Sequence, residues 1–261
     1  MDGNDMDIKF FRLVRKIPRF IRNHGIDNFF VYILTVPLLS FFSLLLTPIK
    51  KKTDKDPFYH VFNRFTATVN EMPQAALLEI GSRNVTGVVM RDIFQSTVDY
   101  TGLDIHDGEN VDVVADVHEL SANLPENHYD AVFTISVFEH LAMPWQAVIE
   151  INRVMKPGGL LFIATHPVIP PHELPWDFWR YSRETFKVLL NQRTGFEILE
   201  SVEGTPARIL SLSRDRTTSK VHLIPVHQSI GVLARKIDVP DAALSWKLPL
   251  SSLLQSQYPN G

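Results

Sequence analysis

From residue 75 onward, short apolar runs alternate with stretches of helical spacing, and this alternation constrains the fold more than any other feature. AALLEI (75–80) ends at Gly81, and YTGLDI (100–105), VDVVAD (111–116) and YDAVFTI (129–135) follow as further strands. WQAVIEINRVM (145–155) sets apolar residues three and four apart, as a helix does, and KPGG then turns the chain into a fifth strand, LLFIAT. Helical spacing also marks VTGVVMRDIF (85–94) and RETFKVLLNQ (183–192), while FEILESV and SIGVLARKI supply two more strands. Continuous apolar strands separated by helices predict an α/β fold, with a parallel sheet covered on both faces.

In such a sheet a ligand sits beyond the carboxyl ends of the strands, beside the first one. The residues that matter are then Glu79 and Gly81, Asp104, Asp116, Ser136, Thr165 and His166. Asp104 suits a ribose, whose two hydroxyls donate to one carboxylate, and Asp116 is placed to meet the edge of an adenine ring. Each acid has a blander alternative as a helix cap or a solvated loop residue. The loop after the first strand reads Gly81-Ser82-Arg83-Asn84-Val85, and the next glycine is Gly87. A pyrophosphate needs closely spaced glycines and a helix N-terminus free of negative charge. Here Glu79 adds a carboxylate, so the loop suits a nucleoside carrying a sulfonium and an ammonium. Gly81 would let the backbone approach and Glu79 would match the amine.

The run from LLEIGSRN through GLDI, ADVHEL, YDAVFTISVFEHL and INRVMKPGGLLFIATHP resembles the class I S-adenosylmethionine-dependent methyltransferases, in particular the type 11 group. The resemblance covers roughly residues 60–237. It implies a Rossmann-like, doubly wound, mostly parallel seven-stranded sheet whose last strand is antiparallel. It also implies S-adenosyl-L-methionine as cofactor, with contacts from Glu79, Gly81, Ser82, Asp104, Ile105, Asp116, Val117 and the segment around Ser136. The loop departs from the Gly-x-Gly-x-Gly core that family members often show. HELPWDFWRYSRETF is similar to a segment of methyltransferases encoded with cell-surface glycan enzymes.

A sulfonium already activates its methyl group, so the protein must chiefly align the acceptor, and a hydroxyl acceptor also needs a base. His140, in VFEHL, follows the fourth strand and is expected to open the next helix, where the dipole favours an imidazole able to accept a proton. A capping or packing role is its alternative. His166 follows the fifth strand, facing the same cleft or only shaping the turn before Pro167. His172 and Asp177 complete the catalytic candidates; they lie in PVIPPHELPWDFWRY, a Pro- and aromatic-rich loop suited to be a lid. Its aromatics, Trp176, Phe178, Trp179 and Tyr181, can stack on a sugar or pack the lid down. No histidine pattern has metal-ligand spacing, so no metal site is expected.

The N-terminal segment is of different character. Residues 29–46 carry no charge for eighteen positions, with basic residues Lys9 to Arg22 before them and Lys50, Lys51, Lys52 and Lys55 after. As a helix the run would be about 27 Å long, marginal for a hydrocarbon core of roughly 30 Å. Pro37 lies mid-run, and positive charge at both ends argues against a full crossing. Three readings stand: a Pro-broken interfacial or re-entrant anchor, a single span, and soluble helices packed on the following domain. The anchor is preferred. The expected organisation is residues 1–56 as anchor and linker, 57–240 as the methyltransferase domain and 241–261 as a tail.

The chain has no cysteine, which excludes disulfides, thiolate metal sites and cysteine nucleophiles, and its net charge of −3 gives no sign of nucleic-acid binding. The expectation is methyl transfer at the cytoplasmic side of a membrane, to a small-molecule, glycan or lipid-linked acceptor. A soluble cytoplasmic location is the alternative. Competing functions are an inactive methyltransferase-like module that tethers partners to a membrane, and a nicotinamide-dependent oxidoreductase, which the missing glycines disfavour.

Overall fold

The computed structural model describes residues 26–45, 55–211, 215–218 and 220–244. The basic stretches Lys9 to Arg22 and Lys50 to Lys52, and most of the tail 241–261, lie outside these residues. The chain divides into two units, Met1–Lys52 with Leu210–Lys220, and Thr53–Ile209 with Val221–Gly261.

In the first unit, helix α1 spans Ile26–Leu45 and runs through Pro37 without a break. The expected Pro-broken segment is therefore a continuous helix. A proline removes one N–H from the ladder, and the flanking bonds can carry the helix past it. Its apolar side chains stand in the open: Leu34 is 71% and Leu44 70% exposed. Among the described residues, no helix is long and apolar enough to cross a membrane.

The second unit begins with α2 (Pro57–Glu71), capped by Asp56 with Pro57 in the first turn. Asp56 Oδ1 accepts from the Phe58 N–H at 3.0 Å. Its Oδ2 accepts from the Thr205 N–H at 2.6 Å, which ties the helix start to the sheet. Val61, Phe65 and Val69, four residues apart, are buried on one stripe. Phe65 stacks on Phe162 with ring centroids 5.6 Å apart and meets Phe133 at 6.1 Å.

Seven strands form one sheet in the order β3-β2-β1-β4-β5-β7-β6. They are β1 (Ala76–Ile80), β2 (Asp99–Asp104), β3 (Val113–Val114), β4 (Tyr129–Ile135), β5 (Met155–Thr165), β6 (Phe196–Arg208) and β7 (Pro225–Lys236). β1 to β5 pair in parallel, and β7 runs antiparallel to both β5 and β6. This is the predicted sheet, with its last strand reversed. Short α3 (Leu120–Asn123), α4 (Pro144–Val154) and α5 (Arg183–Leu189) are the further α-helices among the described residues of the unit. Ile80, Leu103, Val132 and Ile163 pack with Val148, Ile151 and Phe186 on one face of the sheet. α2 covers the other.

Three local expectations fail. Residues 85–94 hold only a single 3-10 turn at Met90–Ile93. Gly87 sits at φ +81°, its N–H bonds the Asn84 side chain at 2.8 Å, and Val85 and Val88 are exposed, so no apolar stripe fixes a helix there. The third strand shrinks to two residues, because Asp112 turns its carboxylate onto the Gly102 N–H at 2.7 Å and Asp116 starts a 3-10 turn. KPGG is no turn but the start of β5, with Gly158 at φ +81° beside a register slip opposite Asp130.

Candidate active site

The carboxyl ends of β1, β2 and β4 converge where strand order reverses, and a cleft opens there. Gly81, Asp104, Ile105, Asp116, Val117 and Ser136, all read from the sequence as cofactor contacts, line it together. So do His118, Val137, His140, Leu141 and Trp176.

Each lining residue is held for a local reason. Gly81 adopts φ +82°, and its N–H donates to the Leu103 carbonyl at 2.8 Å. Asp104 ends β2 with both oxygens engaged: Oδ1 accepts from the His106 N–H at 2.9 Å and Oδ2 from the Arg83 N–H at 3.3 Å. The Arg83 guanidinium lies 3.7 Å from Asp104 Oδ1. Each oxygen keeps lone-pair capacity for a further donor. Ser136 occupies the left-handed region at φ +56°, an uncommon conformation that tends to mark functional turns.

Asp116 caps the turn that follows it, accepting from the His118 N–H at 2.9 Å and from His118 Nδ1 at 2.6 Å. His118 Nε2 in turn accepts from the Met143 N–H at 3.2 Å, so the ring proton sits on Nδ1. Burial alone would raise the Asp116 carboxyl, but the His118 contacts outweigh it and leave it below the usual range. Asp116 is thus a cap, one of its two readings, and it also lines the cleft. His118 had no distinguishing signal in the sequence.

Glu79 and Ser82 are exceptions. Neither is among the lining residues. Alternation along β1 turns Glu79 to the other face, where it accepts from the Tyr100 hydroxyl and from Asn110 Nδ2 at 3.0 Å. Burial lifts its carboxyl to about 7. Ser82 is buried, with its side chain against Gly102. Glu79, expected to match a ligand amine, is engaged here in an internal bond network.

Of the catalytic candidates, His140 lines the cleft, and His172 and His166 follow behind it as neighbouring rings. His140 does not open a helix; it closes the 3-10 turn Phe138–His140, and α4 begins at Pro144. Its Nδ1 lies 2.6 Å from the Trp176 carbonyl, which can only accept, so Nδ1 carries the proton. His166 Nδ1 donates in the same way to the Gln228 carbonyl at 2.8 Å, and His172 Nδ1 to the Pro170 carbonyl at 3.2 Å. The His140 and His172 rings meet edge to face, with centroids 4.7 Å apart. Between the histidines lies Glu139, fully buried and with no distinguishing signal in the sequence, its Oε1 3.5 Å from His166 Nε2 and 3.9 Å from His172 Nε2.

Asp177 has a supporting position. It receives two bonds from Arg180, at 2.6 and 2.8 Å, and one from the His172 N–H at 2.9 Å. The Arg180 hydrogen bonds hold its carboxyl far below the ordinary range, so it is a poor base. The loop expected as a lid is fastened: the Phe178 and Trp179 N–H groups donate to the Glu139 carbonyl at 2.9 and 3.1 Å, and Trp179 Nε1 to that of Leu141 at 2.7 Å. Trp176 and Tyr181 are buried.

A doubly wound sheet with a cleft at its switch point, lined by Asp104 and Asp116, defines a Rossmann-like domain. Residues 71–163 match the family model described as a methyltransferase domain. These residues thus match a methyltransferase domain, and the sheet order is the one that the resemblance to the class I S-adenosylmethionine-dependent methyltransferases implied. No curated protein matches the sequence.

Solved structures share the fold at low identity. A protein of Bacillus halodurans C-125 described as a methyltransferase is 14% identical with a TM-score of 0.52, over 67% of this chain and 98% of that one. The YcgJ protein from Bacillus subtilis is 13% identical with a TM-score of 0.51, over 69% and 99%. The 1,6-didemethyltoxoflavin-N1-methyltransferase from Burkholderia thailandensis, solved with 1,6-didemethyltoxoflavin and S-adenosylhomocysteine, is 13% identical with a TM-score of 0.50, over 79% and 90%.

Proposed function

We propose that the cleft holds S-adenosylmethionine and that the chain transfers its methyl group to a hydroxyl-bearing acceptor seated against His140, His166 and His172. The observation that carries this reading is the meeting of Asp104 and Asp116 with apolar walls in one cleft whose edge is His140. Asp104 would accept the ribose hydroxyls, and Ile105, Val117 and Leu141 would sandwich the adenine, with Asp116 at its polar edge. Gly81 and Ser136 would bring backbone groups to the amino-acid end. This donor set fits a nucleoside without phosphates, because no helix follows the β1 loop to offer an anion site.

The cofactor supplies the activated methyl group. The protein holds the acceptor oxygen in line and takes up its proton, and the protonation of all three imidazoles on Nδ1 leaves Nε2 as the accepting nitrogen. Asp177, through Arg180 and the His172 backbone, positions rather than reacts.

The acceptor is proposed to be a glycan or lipid-linked intermediate reached at a membrane surface, with α1 lying in the interface. The exposed leucines and phenylalanines of α1 support this. Incubation of the full chain with methyl-tritiated S-adenosylmethionine and a membrane extract tests it. Label should enter the solvent-extractable lipid or glycolipid fraction. Label confined to water-soluble small molecules would reject the membrane acceptor, and no incorporation anywhere would favour the inactive tethering module.

A further inference from the structure

We propose that Glu139, His140 and His172 form a binding site for a divalent transition-metal ion at the acceptor edge of the cleft. The inference rests on the methyltransferase reading for its role but not for its existence. The three residues come from two segments more than thirty positions apart, so no spacing in the sequence announces them. The fold brings one ligand atom from each within 4.8 Å of the others. Metal–ligand distances near 2.0–2.2 Å place neighbouring ligands about 3.3 Å apart, so side-chain rotations that draw the widest pair together by about 1.5 Å would close the site.

Two independent features point to a cation. First, Glu139 is fully buried, and while its Oε2 accepts from the Thr165 hydroxyl at 2.7 Å, its Oε1 has no hydrogen-bond partner. A buried carboxylate oxygen left unsatisfied is costly, and a cation relieves that cost directly. Second, the histidines are arranged as metal ligands usually are. His140 and His172 each spend Nδ1 on a backbone carbonyl, at 2.6 and 3.2 Å, which fixes the ring and presents Nε2. Asp177 Oδ2 stands 3.7 Å behind His172 Nδ1 as a further support.

The donor set, two imidazoles and one carboxylate, suits zinc, iron, cobalt or manganese better than calcium or magnesium, which prefer all-oxygen shells. Three protein ligands leave positions open for water or an acceptor oxygen. His140 also lines the cleft, so an ion held there would lie next to the reacting methyl. His166, whose Nε2 meets the Ser136 hydroxyl at 3.0 Å, stands beside the site and would take the acceptor's proton when His140 and His172 hold the ion.

The test uses the full chain freed of any histidine tag and treated with chelator. Titration with Co2+ should give visible d–d absorption saturating at one ion per chain, and Zn2+ should displace it. Glu139→Gln and His172→Ala should each weaken Co2+ binding at least tenfold, while calorimetry shows S-adenosylmethionine binding unchanged within threefold. Cofactor binding without a saturable Co2+ spectrum at millimolar metal would overturn the metal site and leave the methyltransferase reading intact. Equal Co2+ affinity in wild type and both variants would also overturn it. Co2+ binding lost in the variants, with no cofactor binding in wild type, would instead uphold the site and reject its role in methyl transfer.

Discussion

A Cβ placed on Gly81 would come within 2.2 Å of Val137 Cγ2. The turn after β1 and the turn after β4 thus close on each other at the floor of the cleft. Gly81 also stands at φ +82°, where any other residue is strained. Gly81→Ala should lose about 2–4 kcal/mol of stability from the backbone and steric costs together, measured by urea unfolding. Adding Val137→Ala should recover the steric part alone. Full recovery would mean that backbone conformation is irrelevant there.

Glu79 predicts a stability that depends on pH. Burial raises its carboxyl from 4.5 to about 7 in the folded chain, opposed by the Tyr100 and Asn110 bonds. Between those values the folded state binds more protons than the unfolded, so stability should fall as pH rises from about 5 to 7, then level off. The loss is on the order of 3 kcal/mol. Glu79→Gln keeps the shape without the ionisation and should flatten the profile. Parallel profiles for variant and wild type would remove Glu79 as the cause.

Much of this was legible in the sequence, and the failures have physical reasons. The strands at 76–80 and 129–135 are largely apolar and buried runs, as strands of a covered parallel sheet are. Six of the eight cofactor candidates line the cleft because strand ends fix them there. Glu79 misses it because the pleat of β1 sends alternate residues to opposite faces, which puts Glu79 on the face away from Ile80. The helix expected at 85–94 fails because its valines meet solvent rather than a core. Glu139 and the histidines around it meet only through tertiary folding, which spacing in one chain cannot announce.

Helix α1 tests the membrane reading separately. Removal of residues 1–52, which form the bulk of the first unit, should leave cofactor affinity unchanged. It should also abolish cosedimentation with vesicles containing anionic lipid. The same removal followed by undiminished vesicle binding would assign membrane contact to another surface.

His140→Ala should lower turnover by roughly 10²–10⁴-fold, the usual range for a lost acid–base group. Cofactor affinity should move little, since the imidazole lies at the acceptor edge. A variant that loses stability and cofactor affinity together would make His140 a structural support for the Trp176 carbonyl.

Asp104 gives the most direct measurement of the central claim, that S-adenosylmethionine occupies the cleft at the ends of β1, β2 and β4. Calorimetric titration of the full chain should show one site for S-adenosylmethionine and for S-adenosylhomocysteine, and none for NAD. Asp104→Ala should weaken that site by about 1.5–3 kcal/mol, the worth of hydrogen bonds to a charged group, equivalent to roughly 10- to 150-fold in Kd. Circular dichroism would confirm that the variant is folded. Unchanged affinity in a folded Asp104→Ala protein, or no cofactor binding by the wild type, would contradict the account.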